Sequence, residues 1–234
     1  MPCFPNQEVA MLHGHGDDGY RNERILRANF SSNVRPGGVP SALRDHLRTQ
    51  LDRAGTYPEV AAESLTALLA AQHRVTPGQV LVTNGAVAAI YLVAQAWRGA
   101  RSVVVGPTFS EYADAARLEE HAVTSISRED FTVERFGEAT LVWLCNPNNP
   151  TGEVLSRDLL LGVIDRHPGV MFVVDLAYAD FCATAPLCAA DTETRTNLVL
   201  LHSLTKNFGI PGLRLGRLRR CFSSLNSRGA ARRS

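Results

Sequence analysis

Among the 24 Lys and Arg residues of this 234-residue chain a single one, Lys206, is a lysine. An amine can do what a guanidinium cannot: it sheds its proton and condenses with a carbonyl to form a Schiff base. On the count alone, a chance survivor and a selected nucleophile are equally open readings. The neighbourhood is more telling. In His202-Ser203-Leu204-Thr205-Lys206, with Arg214 eight residues on, two hydroxyls, an amine and a guanidinium converge. Hydroxyls with an arginine suit a phosphate, and the amine suits an aldehyde.

Four other short segments carry chemistry-bearing side chains. In Thr83-Asn84-Gly85-Ala86 the glycine permits a tight turn into a helix whose free N–H groups favour an anion; a plain turn is the alternative. In Gly106-Pro107-Thr108-Phe109 the aromatic is either a stacking surface or a core residue. The run Asn146-Pro147-Asn148-Asn149-Pro150-Thr151-Gly152 is a rigid loop with more side-chain amides than a structural loop needs. Asp175, with Tyr178 three residues on, follows an apolar run. A carboxylate there is costly unless paired. A protonated ring nitrogen would be a partner, and capping of the next turn is the other reading.

Each segment follows a short β-branched run: 80–82, 102–105, 141–144, 171–174 and 198–201. Strands apolar on successive residues are buried on both faces. Helical spacing over 86–97, 110–119 and 156–166 lies between several of them, so the expected fold is α/β with a mostly parallel sheet covered by helices on both sides. Ligands in such sheets sit at the carboxyl ends of the strands. Upstream, 1–39 reads as an irregular arm. Two helices are expected, at 41–51 and from 60 to about 73, the second with Leu65, Leu68 and Leu69 on one face.

The bulk numbers exclude several classes. A net charge of +1 gives no global field for nucleic acid or an anionic membrane. The apolar stretches are strand-sized, so no membrane span is expected. The five cysteines form no CxxC pair, so no metal site is expected, and a cytoplasmic setting is the simplest.

An anion cup, a ring stacker, an amide, a carboxylate and an imine-forming lysine at the strand ends of one sheet together suit pyridoxal 5'-phosphate, a phosphate-bearing aromatic aldehyde with a basic ring nitrogen. TNGA at 83–86, NPNNPTG at 146–152, VDLAY at 174–178 and SLTKNFGIPGLRLG at 203–216 resemble, in order and spacing, the fold-type-I pyridoxal-phosphate enzymes of the class I/II aminotransferase superfamily. Within it the chain is similar to histidinol-phosphate aminotransferases and threonine-phosphate decarboxylases. His13-Gly14 and NFSSNVRPGG at 29–38 add to the likeness to the decarboxylases.

The resemblance implies the large domain of the aspartate-aminotransferase fold. Lys206 would bond the cofactor aldehyde, Asp175 would pair with the ring nitrogen, and Asn149 and Tyr178 would contact the ring hydroxyl. Phe109 would stack on the ring. Gly85, Ala86, Ser203 and Arg214 would hold the phosphate. Tyr57 would reach the phosphate of a partner copy, implying a homodimer. His13 and Asn33 would face a small-molecule substrate, an amino acid or phosphorylated amine. Transamination and decarboxylation both stay open.

Two departures stand out. Ala86, Val87 and Ala88 offer no hydroxyl to a phosphate. Past Gly216 the family continues with a further strand and a small domain, whereas residues 217–234 hold six arginines, show no strand pattern and read like a shifted frame. A genuine anion-binding tail is the other reading. The expected division is therefore an arm at 1–39, an incomplete cofactor-binding domain at 40–216 and a basic tail at 217–234. The small C-terminal domain, with its carboxylate-gripping arginine, would be missing. The sheet would have an exposed edge. A non-catalytic fragment that at most binds the cofactor is the alternative function.

Overall fold

The computed structural model describes residues 32–183 and 186–220. His13, most of the expected arm and the tail beyond Arg220 lie outside them.

A seven-stranded sheet organises the chain. Its strands are β1 (Val80–Thr83), β2 (Arg101–Gly106), β3 (Ala122–Ser127), β4 (Leu141–Cys145), β5 (Met171–Asp175), β6 (Leu198–Ser203) and β7 (Gly216–Arg220). They lie in the order β1-β7-β6-β5-β4-β2-β3. From β6 to β3 all pairs are parallel, and β7 runs antiparallel to both β6 and β1. The α/β, mostly parallel sheet is as expected.

The helices are α1 (Ser41–Thr49), α2 (Glu63–His73), α3 (Gly85–Ala96), α4 (Glu111–Leu118), α5 (Arg128–Thr132), α6 (Arg157–Arg166) and α7 (Leu204–Phe208). α6 starts where the Ser156 hydroxyl accepts from the Leu159 N–H at 3.3 Å, satisfying one of the orphan donors of the first turn. β4 shows how the two layers form. Val142 and Leu144 pack with Leu160 and Ile164 of α6, while Leu141, Trp143 and Cys145 pack on the opposite face with Ala89, Ile90 and Val93 of α3. Alternate side chains leave a strand on opposite faces, so a strand buried on both sides must be apolar throughout.

Several expectations need correction. β3 was not anticipated: its Ala-Val-Thr-Ser-Ile-Ser sequence lies at a sheet edge and is mostly exposed. β1 is not buried on both faces, because it is the other edge, and Leu81 is 47% exposed. α2 begins at Glu63, and Leu68 turns to solvent while Leu65 and Leu69 pack inward. α1 buries none of its residues, and Leu51 falls beyond its end.

The largest correction concerns residues 216–220. A strand was expected to be lacking there, yet β7 fills the place between β6 and β1. Backbone ladders need no particular side chain, and the period of two still operates. Leu218 joins the core against α3, and the Arg220 guanidinium sits 4.8 Å from the Trp97 ring centre. At Gly216 a Cβ would lie 2.4 Å from the Ala86 nitrogen and the Gly85 carbonyl carbon, so only glycine fits. β7 therefore positions the start of α3.

Candidate active site

A cavity of about 760 Å³ opens at the carboxyl ends of the strands. A parallel sheet places its ligand crevice there. Each strand contributes through the loop that follows it.

Asp175, the last residue of β5, is 4% exposed. Its Oδ1 accepts from the Ala177 N–H at 2.8 Å, and its Oδ2 from the Tyr112 hydroxyl at 2.7 Å. Burial pushes the carboxyl up from its usual range, while these donors and the Lys206 charge oppose the shift. Turn capping and a carboxylate at the cavity thus coexist, one oxygen to each.

Lys206 reaches the cavity from α7, directly after β6. Its Nζ donates to the Ser32 carbonyl at 2.9 Å and stands 5.8 Å from the centre of the Tyr178 ring. The Arg35 N–H donates to the Lys206 carbonyl at 3.0 Å, so segment 32–35 crosses the lysine. The Tyr178 phenol is pushed up to about 12, chiefly by burial, and is a neutral donor at physiological pH. Asn33 lines the cavity with a positive φ of 47°.

The opposite end gathers groups whose chemistry suits an anion. The Ser203 hydroxyl donates to the Thr205 hydroxyl at 2.9 Å. Gly85 opens α3 at φ 82°, and a Cβ there would lie 2.8 Å from Nη2 of Arg214. The guanidinium therefore covers the first turn of α3, where unpaired N–H groups already favour an anion. Ala86, Ser203 and Arg214 line the cavity.

Of the three loop asparagines only Asn149 lines the larger cavity. Asn146 exchanges hydrogen bonds with Leu155, and Asn148 donates to the Pro107 carbonyl and to Thr151. Most of the amide density thus holds the loop in shape. Phe109 lines the cavity and meets Tyr112 edge-on. Tyr57 is fully exposed and is not in the cavity wall.

Sequence reasoning missed three groups. Tyr112 lies in the first turn of α4, three residues after Phe109, and its ring meets that of Phe109. The Cys145 thiol is in the cavity wall, with burial pushing it up to about 12. Arg128, buried beneath the loop, donates to the Cys145 carbonyl and to Asn146 Oδ1. Nothing in the sequence marks Arg128.

The donor set suits a ligand with a phosphate at one end, an aldehyde within reach of an amine and a basic ring nitrogen near a buried carboxylate. Gly85, without a side chain beneath Arg214, is the cradle such a phosphate needs. Among the described residues there is no cluster of metal-ligating side chains and no helix long and apolar enough to cross a membrane.

Comparison with known proteins agrees. Residues 28–219 match the family Aminotransferase class I and II. The histidinol-phosphate aminotransferase of Caldanaerobacter subterraneus subsp. tengcongensis is 36% identical over 215 residues, covering 85% of this chain and 60% of that protein. The threonine-phosphate decarboxylase of Salmonella typhimurium is 31% identical, covering 81% and 55%. The crystal structure of L-threonine-O-3-phosphate decarboxylase from Porphyromonas gingivalis superposes with a TM-score of 0.80 at 38% identity, covering 86% and 64%. The chain thus spans between half and two thirds of the length of these relatives.

Proposed function

The chain belongs to the aminotransferase class I and II family, and from that premise we propose that its cavity binds pyridoxal 5'-phosphate and acts on an amino acid or amine, with a phosphorylated substrate preferred. The observation that carries the proposal is the shared cavity of Lys206 and Asp175, the chain's one lysine on the helix after β6 and a buried carboxylate at the end of the adjacent parallel strand β5.

The cofactor, when bound, supplies an electron sink for charge developing at the substrate α-carbon. The roles of this chain's residues follow from their chemistry. Lys206 would hold the aldehyde, and its amine would be the group placed to move a proton at the substrate α-carbon. Asp175 pairs with the ring nitrogen. Asn149 and the neutral Tyr178 phenol donate to the ring hydroxyl, and Phe109 covers a ring face and excludes water. Gly85, Ala86, Ser203 and Arg214 hold the phosphate. Asn33 meets the substrate, for which a second cavity of about 360 Å³, also walled by Asn33, Asn149 and Tyr178, provides room. Exposed Tyr57 reaches the cofactor phosphate of a second copy, making a homodimer.

The chemistry is L-threonine-O-3-phosphate decarboxylase-like or histidinol-phosphate aminotransferase-like. Whether the proton or the carboxylate leaves the α-carbon depends on the groups that orient the carboxylate. Carbon dioxide release from phosphothreonine supports the first chemistry, and amine transfer from histidinol phosphate to 2-oxoglutarate supports the second.

One observation favours a second reading, a cofactor-binding chain without turnover. Lys206 and Arg214 are the only cations among the described lining residues of the larger cavity, and both are committed to the cofactor. Among the described lining residues no charged grip is then left for a substrate carboxylate. Visible absorbance after mixing with pyridoxal 5'-phosphate tests the site: a yellow band absent from Lys206→Ala supports it, and no band in the parent chain overturns it. A band with no turnover in either assay selects the second reading.

A further inference from the structure

Tyr112 has no role in the chemistry proposed above, yet it is the side chain that touches Asp175 most directly. It is 1% exposed. Its ring stacks on Trp143 at 5.9 Å with 16° between the planes, and Phe109 meets it edge-on at 5.7 Å and 82°. A phenol packed between two aromatics cannot swing, so its hydroxyl has one direction. That direction ends on Asp175 Oδ2 at 2.7 Å.

The carboxylate needs this partner. Among the described residues no ion pair reaches Asp175, and its other oxygen is held by a single backbone N–H. Burial favours the neutral acid, and a neutral acid cannot pair with a protonated ring nitrogen. Tyr112 cannot change roles and become an acceptor. Burial, then the Asp175 charge, hold its phenol well above the ordinary value, so it keeps its proton and donates at every physiological pH. The Cys145 thiol beside it is likewise kept neutral, so no competing anion forms there.

We infer that Tyr112 is a positioning residue whose hydroxyl keeps the Asp175 carboxylate ionised and in one rotamer, facing the ring nitrogen of the bound cofactor. This rests on the reading of the cavity as a pyridoxal-phosphate site. The competing account is that Asp175 only satisfies a buried core tyrosine. In that case losing the hydroxyl loosens the pocket for any ring, whatever its nitrogen.

Equilibrium binding of two probes separates these accounts. One is pyridoxal 5'-phosphate, and the other is its carbocyclic analogue with CH in place of the ring nitrogen. Each is titrated into the parent chain and into Tyr112→Phe, Asp175→Asn and the double variant, with quenching of tryptophan fluorescence as the readout. Tyr112→Phe is expected to weaken pyridoxal 5'-phosphate about tenfold, as loss of one charge-assisted hydrogen bond should. It should leave the carbocyclic probe within about twofold. In the Asp175→Asn background the same change should add nothing, because the group it acts through is gone. Equal weakening of both probes, no weakening of either, or an additive double variant overturns the inference and leaves the site reading intact. Failure of the parent chain to bind pyridoxal 5'-phosphate overturns both.

Discussion

At the end of β5 the sheet buries a carboxylate; two strands away, on β7, it buries guanidinium groups. Asp175 sits among donors, with Tyr112 and Ala177 on its two oxygens and the Lys206 charge acting on it. On β7, Arg219 and Arg220 are buried and Arg217 is half-buried, with burial lowering the Arg217 guanidinium, the Asp180 charge opposing the shift and Arg219 adding to it. There the loser is His202, driven down to about 3 by burial first and then by Arg217, His73 and Arg219. Both places remove charge from water. In the first, complementary groups preserve a charge that chemistry can use. In the second, burial first and then the nearby bases keep the His202 imidazole neutral. Buried charge is thus informative only with its surroundings.

Predictions that break or sharpen this contrast can be ordered by size. Lys206→Ala should abolish the cofactor's visible band, and borohydride should no longer fix cofactor mass to the chain; a surviving band would end the comparison, because the site would need no amine. Asp175→Asn should weaken the cofactor by about 100-fold, losing a buried charge-assisted pairing worth about 2–3 kcal/mol; titration of the band reads it. Gly85→Ala should weaken it about tenfold, since a side chain at φ 82° is strained by about 1–2 kcal/mol and displaces Arg214. An unchanged constant would mean that Arg214 does not serve the phosphate.

The β7 side should respond to pH instead. The pH dependence has a definite sign. His202 titrates near 6.5 when unfolded and near 3 when folded, so the unfolded chain binds more protons between those values. The His202 contribution is complete above about pH 6.5 and is lost as pH falls toward 3, with a slope of at most about 1.4 kcal/mol per pH unit. The half-buried His73, also depressed, adds in the same direction. Chemical unfolding at pH 7 and pH 5 checks this. His202→Asn should flatten the slope, and a slope unchanged in that variant would reassign the acid sensitivity.

Most of the site was legible because its residues follow strands that announce themselves. Val142 to Leu144 and Phe172 to Val174 are apolar on successive positions, which only a doubly covered strand tolerates, and the residues after them must reach the sheet's carboxyl edge. Asn149, Asp175, Tyr178, Ser203, Lys206 and Arg214 meet there for that reason. The edge strands were less legible. β3, Ala-Val-Thr-Ser-Ile-Ser, lacks the buried-strand signature, whereas β1 carries it over Val80-Leu81-Val82 and yet lies at an edge with Leu81 exposed. In the Asn-rich loop, composition could not say which amide faces the cavity. Asn146 and Asn148 resemble Asn149 in type and differ only in which carbonyls and N–H groups come near.

By itself, then, the sequence determined the parallel α/β layering, the order of the chemical groups along the strand ends and the uniqueness of Lys206, because hydrophobic period and residue type are local properties. Tertiary structure alone decided that β7 completes the sheet despite its arginines, that Gly216 must be a glycine for α3 to begin against it, and that Tyr112 rather than a charged residue meets Asp175. Each of these depends on which backbone or side chain, distant in sequence, comes within about 3 Å, and such approaches are set by packing of the whole sheet rather than by any one segment.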